Sequence, residues 1–272
     1  MWKTSLASEI RAERQMIQSF EGRAYIVTGA SRGIGFATAK RLAGLGAKVA
    51  LFARGAEAVQ AAAAGIGPEA IGIAVDVGSR AGMMAAFAQV AERFGRLDGV
   101  VNNAGATMVC RIENLSEDAV MLQVKANFLG VVYGSQAAIP HLRKTGGGRI
   151  VNVTSATVRH PEEFPLLSIY AATKAAAERF TFELREEVRG DNIGVTAFSP
   201  GTTETSFGAA ASEEEAAAGF QRWLAAGADC DGMMQAEVVG RAIVDCLALP
   251  NGAAFDYVDL RPNRPTPKAM RI

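Results

Sequence analysis

The stretch "RAYIVTGASRGIGFATAKRLAGLG", residues 23–46, decides the fold. It opens as a short apolar run, breaks at a glycine turn and continues as a helical pattern that stops at Gly46. A strand that ends in glycine and enters a helix directly is the first half of a strand–helix–strand unit. The turn carries glycines at 29, 33 and 35. Gly29 permits the tight turn, while Gly33 and Gly35 let the backbone approach a phosphate and let helix pack on strand. The unpaired N–H groups and the positive dipole end of the helix would face that anion. The spacing is Gly-x3-Gly-x-Gly, not Gly-x-Gly-x2-Gly. Alone, the turn reads as a nucleotide cradle or as a plain connection.

The alternation continues outward. Short apolar strands are expected at "AKVALFAR" (47–54), "AIGIAVD" (70–76), "LDGVVNNAG" (97–105), "GRIVNVTS" (148–155), "NIGVTAFSPG" (192–201) and near 255–260. Helical patterns separate them, including a long one from Ser116 to Arg143 and one from Tyr170 to Val188. Strands apolar on both faces, alternating with helices, imply α/β architecture: a doubly wound parallel sheet of about seven strands, in one domain over residues 22–272. Residues 1–21 read as an extension in which Leu6, Ile10, Ile17 and Phe20 would share a helical face. An insertion near 203–232, holding "SEEEAAAGFQRWLAAG", is read either as a lid over the ligand crevice or as a surface excursion.

Composition narrows the function classes. Lys+Arg and Asp+Glu both number 28, so no basic excess points to nucleic acid or a membrane surface. The cysteines, Cys110, Cys230 and Cys246, are odd in number and scattered, which fits neither a disulfide framework nor a zinc site. His141 and His160 lie far from any cysteine at ligand spacing, so no metal is expected. No apolar stretch approaches the ~18 residues of a membrane span. The cytoplasm is the default location.

"IYAATKAAAE" (169–178) places a phenol and an ammonium four residues apart on one helical face. A cation ~4 Å from the phenol, at an effective dielectric of ~20, would interact by ~4 kcal/mol, about three pK units. Tyr170 would then titrate near neutrality, where proton transfer is most useful. The bland alternative is a core tyrosine beside a solvated lysine.

"TGASRGIG", "NNAG" (102–105), "YAATK" (170–174) and "SPG" (199–201), in this order, resemble the short-chain dehydrogenase/reductase family over roughly residues 22–262. Within the family the chain resembles 3-oxoacyl-[acyl-carrier-protein] reductase-like members. The resemblance implies a nicotinamide cofactor and a catalytic set of Asn127, Ser155, Tyr170 and Lys174. Ser155 stands fifteen residues before Tyr170 where the family usually has thirteen. Thr157 occupies the usual count, but the strand end favours Ser155. Ser155 would donate to the substrate carbonyl, Tyr170 would act as general acid, and Asn127 would hold a water that links Lys174 to solvent.

Cofactor contacts implied by the same route are Gly29, Ser31, Arg32, Gly33, Ile34 and Gly35 in the turn, then Arg54, Asp76, Val77, Asn103, Ala104 and Gly105. Tyr170, Lys174, Pro200, Gly201, Thr203 and Thr205 complete the set. Asp76 would bond the adenine amino group, or alternatively cap the next helix. Ala53 stands where an NAD-selective acid would sit, with Arg54 beside it and Arg32 in the turn, so NADP(H) is favoured over NAD(H). The expected activity is reduction of a small-molecule ketone or 3-oxoacyl group to an alcohol. The alternatives are an NAD-dependent alcohol dehydrogenase and a non-enzymatic dinucleotide-binding redox sensor or scaffold. Asp191 replaces a basic residue found in relatives that dock acyl carrier protein. A homotetramer or homodimer is expected, with Ala175–Ala177 permitting close helix packing.

Overall fold

Ala24–Thr28 form β1, and all five residues are buried. The computed structural model describes residues 19–160, 166–205, 214, 217, 218, 221 and 232–263. After β1 come α1 (Gly33–Ala43), β2 (Lys48–Ala53), α2 (Ala56–Ile66), β3 (Ala70–Ala74), α3 (Arg80–Phe94) and β4 (Gly99–Asn102). They are followed by α4 (Glu117–Val124), α5 (Gly130–Lys144), β5 (Gly148–Val153), α6 (Ser168–Val188) and β6 (Ile193–Pro200). The chain continues through β7 (Thr203–Glu204), β8 (Met234–Gln235), α7 (Ala236–Leu247) and β9 (Tyr257–Leu260).

Seven strands form one parallel sheet in the order β3-β2-β1-β4-β5-β6-β9. Neighbours on a strand point to opposite faces. Val27 accordingly joins the core under α1 and α7, with Leu42, Val239 and Ile243. Ile26 joins the core under α3, α5 and α6, with Phe87, Leu142 and Val195. Burial on both faces is why the strands read as continuous apolar runs. The order reverses between β1 and β4, and ligands of such sheets bind beyond the strand ends at that point.

The helix expected over 116–143 is three pieces. A π-turn at Lys125–Leu129 separates α4 from α5. Two contacts account for it. Asn127 is held by the loop after β4, through both the N–H and the carbonyl of Ala106. Gly130 lies so close to Val77 that a Cβ would sit 2.8 Å from its Cγ2. An inserted turn of this kind satisfies both without breaking the helix axis.

The opposite end of the sheet is fastened by a residue with no sequence signature. Arg149 is 3% exposed, and its guanidinium donates to the carbonyls of Gly148, Leu249, Pro250 and Ala253. The insertion near 203–232 departs and returns at one place, because Thr203 pairs with Met234 and Glu204 with Gln235. Most of its interior lies outside the described residues. So do the helical face expected at Leu6, Ile10 and Ile17, and residues 161–165. Phe20, the last of that expected face, is buried against Tyr25 with ring centroids 5.5 Å apart. Among the described residues, no helix is long and apolar enough to cross a membrane.

Candidate active site

A cavity of about 820 Å³ opens beyond the carboxyl ends of the strands, at the reversal between β1 and β4. The glycine turn forms one end. Gly29 and Gly33 have φ of +65° and +57°, values that L side chains avoid. A Cβ on Gly29 would lie 2.8 Å from the Ala104 Cα, and one on Gly35 would lie 2.5 Å from the Gly29 carbonyl oxygen. Thr28 holds this approach together. Its Oγ1 accepts from the N–H groups of Asn103 and Ala104, both at 2.9 Å, and Asn103 Nδ2 donates to the Thr28 carbonyl at 2.9 Å. No side chain caps α1, and its first turn holds no acid. Its N-terminal N–H groups and positive dipole end stay available to an anion.

Along the cavity wall stand Ser31, Arg32, Gly33 and Ile34, then Arg54, Asp76, Val77, Asn103, Ala104 and Gly105. Pro200, Gly201, Thr203 and Thr205 line the far side. Arg32 and Arg54 are exposed, and neither has an acidic partner among the described residues. Asp76 accepts from the Gly78 N–H at 2.9 Å, whereas Ser79 caps α3 by accepting from the Gly82 N–H. Asp76 therefore shapes the turn before the helix and still faces the cavity.

Ser155, Tyr170 and Lys174 meet in the same cavity, brought there by the end of β5 and the first turns of α6. Lys174 Nζ donates to the Val153 carbonyl at 2.7 Å and lies 5.9 Å from the centre of the Tyr170 ring. Burial pushes the Tyr170 hydroxyl up to about 12, against a smaller downward pull from its hydrogen bond with Ser155. Burial brings the Lys174 ammonium down to about 8. Lys174 was expected to draw Tyr170 towards neutrality; burial instead holds the phenol well above its usual value. Lys174 gives one of its three donors to the Val153 carbonyl, and loss of water around the phenol dominates.

Gly35 and Asn127, both expected at the site, lie behind the wall. Gly35 backs the turn. Asn127 is fully buried; its Oδ1 accepts from the Ala106 N–H, and its Nδ2 donates to the Ala106 carbonyl and to Thr173 Oγ1. It clamps the loop after β4 to the helix of Tyr170. Part of the remaining wall was not foreseen: Thr107, Val109, Leu122, Leu167 and Met233 form a largely apolar region. These residues come from separate segments and share no motif, so only their convergence shows them.

The donor set fits a dinucleotide. The glycine cradle would be filled by any Cβ, the helix end is uncapped, and Lys174 retains two of its three N–H donors for hydroxyl groups. Among the described residues, no group of His, Cys, Asp and Glu could hold a metal ion.

A family model described as short chain dehydrogenase matches residues 23–216. An uncharacterized oxidoreductase of Methylorubrum extorquens is 36% identical over 208 residues, which cover 74% of this chain and 82% of the relative. The crystal structure of a 3-ketoacyl-(acyl-carrier-protein) reductase from Brucella melitensis complexed with NADH superposes with a TM-score of 0.79. It is 27% identical, and the match covers 90% of this chain and 99% of that one. An alcohol dehydrogenase of Thermococcus sibiricus complexed with 5-hydroxy-NADP superposes with a TM-score of 0.76 at 28% identity, covering 90% and 98%.

Proposed function

The chain belongs to the short chain dehydrogenase family, and on that premise we propose that it is an NADP(H)-dependent oxidoreductase that reduces a ketone or 3-oxoacyl group to an alcohol. One observation carries the reading: a buried hydroxyl pair, Ser155 and Tyr170, shares a cavity with a buried lysine and an uncapped glycine turn.

The glycine turn and Lys174 would hold a nicotinamide dinucleotide, which would supply the hydride that the carbonyl carbon takes up. Ser155 donates a hydrogen bond to the carbonyl oxygen and stabilises the negative charge that develops there. Tyr170 gives its proton to that oxygen, which completes the alcohol and leaves a phenolate. Lys174 and Ser155 face that phenolate and offset its charge. A tyrosine held up at about 12 is protonated throughout the neutral range, the state that reduction requires.

Arg32 and Arg54 support NADP(H). Two exposed cations and no acid stand at the end of β2 and in the turn, where a ribose phosphate bearing nearly two charges would lie. The likeness to the Brucella melitensis and Thermococcus sibiricus enzymes supports a carbonyl substrate. Asp191 is paired with Arg143 at 2.7 Å, which gives no support to a carrier protein as partner. A homo-oligomer is part of this reading, supported by exposed Met121, Val238 and Phe255. Ala177, by contrast, is buried within the chain, so only Ala175 and Ala176 reach the outer face of α6. A single-subunit mass by light scattering would count against assembly.

The test is NADPH consumption by the purified protein across a panel of ketones and 3-oxo esters, beside Tyr170→Phe. Wild type should turn over at least one compound, and the variant should lose about 100-fold or more of kcat. Equal, slow oxidation by both proteins on every compound would leave a dinucleotide-binding protein and remove the enzyme.

A further inference from the structure

Ser155 is more constrained than a hydroxyl that merely faces a cavity. Its Oγ accepts from the Thr157 backbone N–H at 3.3 Å and from Thr157 Oγ1 at 3.0 Å. A serine hydroxyl has one proton to donate and two lone pairs with which to accept. Thr157 fills both acceptor positions, so donation is all that Ser155 has left. The two residues belong to one short helical turn, Ala156–Val158, with Ser155 at its N-cap. Both line the cavity and are largely buried, at 7% and 5% exposure.

We propose that Thr157 is a positioning residue that holds Ser155 as a pure hydrogen-bond donor, whose single proton bridges Tyr170 and the carbonyl oxygen in one three-centre hydrogen bond. The consequence falls on both catalytic hydroxyls. A serine with a vacant lone pair could accept the Tyr170 proton and turn it away from the substrate. With its lone pairs filled, Ser155 offers Tyr170 only a proton, and the Tyr170 proton is left for the carbonyl. A hydrogen bond donated to the phenolate favours its formation, which agrees with the downward pull of Ser155 on Tyr170. The bonds run in series from Thr157 through Ser155 to Tyr170, and each polarises the next. Spacing alone left Ser155 and Thr157 as rivals for one role; here they hold successive ones.

This inference rests on the carbonyl-reductase reading, and the experiment separates the two. Wild type, Thr157→Val and Thr157→Ser are assayed with NADPH on a panel of ketones and 3-oxo esters that includes ethyl acetoacetate. Alcohol oxidation is followed against pH with the corresponding product. Thr157→Val keeps the branched shape and the backbone N–H but loses the hydroxyl. Its kcat should fall by roughly 2- to 12-fold, the range for one lost hydrogen bond, with the carbonyl KM within about twofold of wild type. The rise of alcohol oxidation with pH should shift upward by about half a unit or more. Thr157→Ser should restore both to near wild type. Melting curves report folding, and Thr157→Ala replaces the valine variant if that one does not fold. No turnover by wild type on any compound overturns the reductase reading and this inference together. An active wild type matched by Thr157→Val in kcat and pH profile overturns the inference alone. A loss confined to KM would also overturn it, by making Thr157 a substrate contact.

Discussion

Lys174 Nζ donates to the carbonyl of Val153 at 2.7 Å from inside the cavity, and no carboxylate pairs with it among the described residues. Its charge is thus carried in a desolvated place without a counter-ion, and its pKa falls from the usual lysine value to about 8. The folded chain binds fewer protons than the unfolded chain between about 8 and the ordinary lysine value. The cost of charging Lys174 is therefore complete below pH 8 and disappears as pH rises through the unfolded pKa. Wild type compared with Lys174→Met should gain about 3 kcal/mol of relative stability between pH 7 and pH 10.5. Urea denaturation at the two pH values measures it, and Tyr170 cancels because both proteins carry it. A pH-independent difference would mean that Lys174 is solvated.

Tyr170 sets a second pH dependence. With its hydroxyl raised to about 12 by burial, the phenolate fraction grows about tenfold per pH unit below that value. Alcohol oxidation should climb steeply from pH 7 to 9, while carbonyl reduction should not fall through any loss of the Tyr170 proton. Parallel rate profiles in the two directions check this. A plateau in oxidation below pH 8 would show that bound cofactor overrides the burial.

Arg32 and Arg54 should discriminate between cofactors. A charge-assisted hydrogen bond contributes about 1.5–3 kcal/mol. Replacing both arginines with alanine should raise the KM for NADPH by about 10- to 100-fold or more and change that for NADH by less than about threefold. Equal effects on the two cofactors would remove the phosphate role.

Gly35 should tolerate no side chain. A methyl group there would sit 2.5 Å from the Gly29 carbonyl oxygen and 2.6 Å from Asn103 Nδ2. Forcing such contacts typically costs about 1–3 kcal/mol. Gly35→Ala should lower the melting temperature and weaken NADPH binding in a fluorescence titration. Gly65 lies in α2 with open space around it, so Gly65→Ala serves as the control that should keep or raise the melting temperature.

Arg149 lies at the other end of the sheet from the cavity, and its removal separates stability from binding. Arg149→Met would leave the carbonyls of Leu249 and Ala253 without the donors that now reach them. The expected loss is about 2–6 kcal/mol of stability, at about 1–3 kcal/mol for each of the two orphaned groups. NADPH affinity should be unchanged at a temperature where the variant is folded. A lowered affinity would show that the two ends of β5 are coupled.

Local pattern was sufficient for the strands, for most helix ends and for the glycine turn. Burial on both faces writes continuous apolar runs, Gly95 in a left-handed conformation ends α3, and positive φ at Gly29 and Gly33 demands glycine. The shared helical face of Tyr170 and Lys174 was equally legible, because four residues make about one turn. Their electrostatics were not. Whether a cation lowers a phenol's pKa depends on how much water the fold removes and on which acceptor claims the cation. Here the Val153 carbonyl takes one of the three donors, and burial of the phenol outweighs the cation. The π-turn at Asn127, the four-carbonyl grip of Arg149 and the passage of hydrogen bonds from Thr157 to Ser155 were likewise decided in three dimensions. Each depends on a close contact that packing creates, and such contacts leave no period or spacing in the chain.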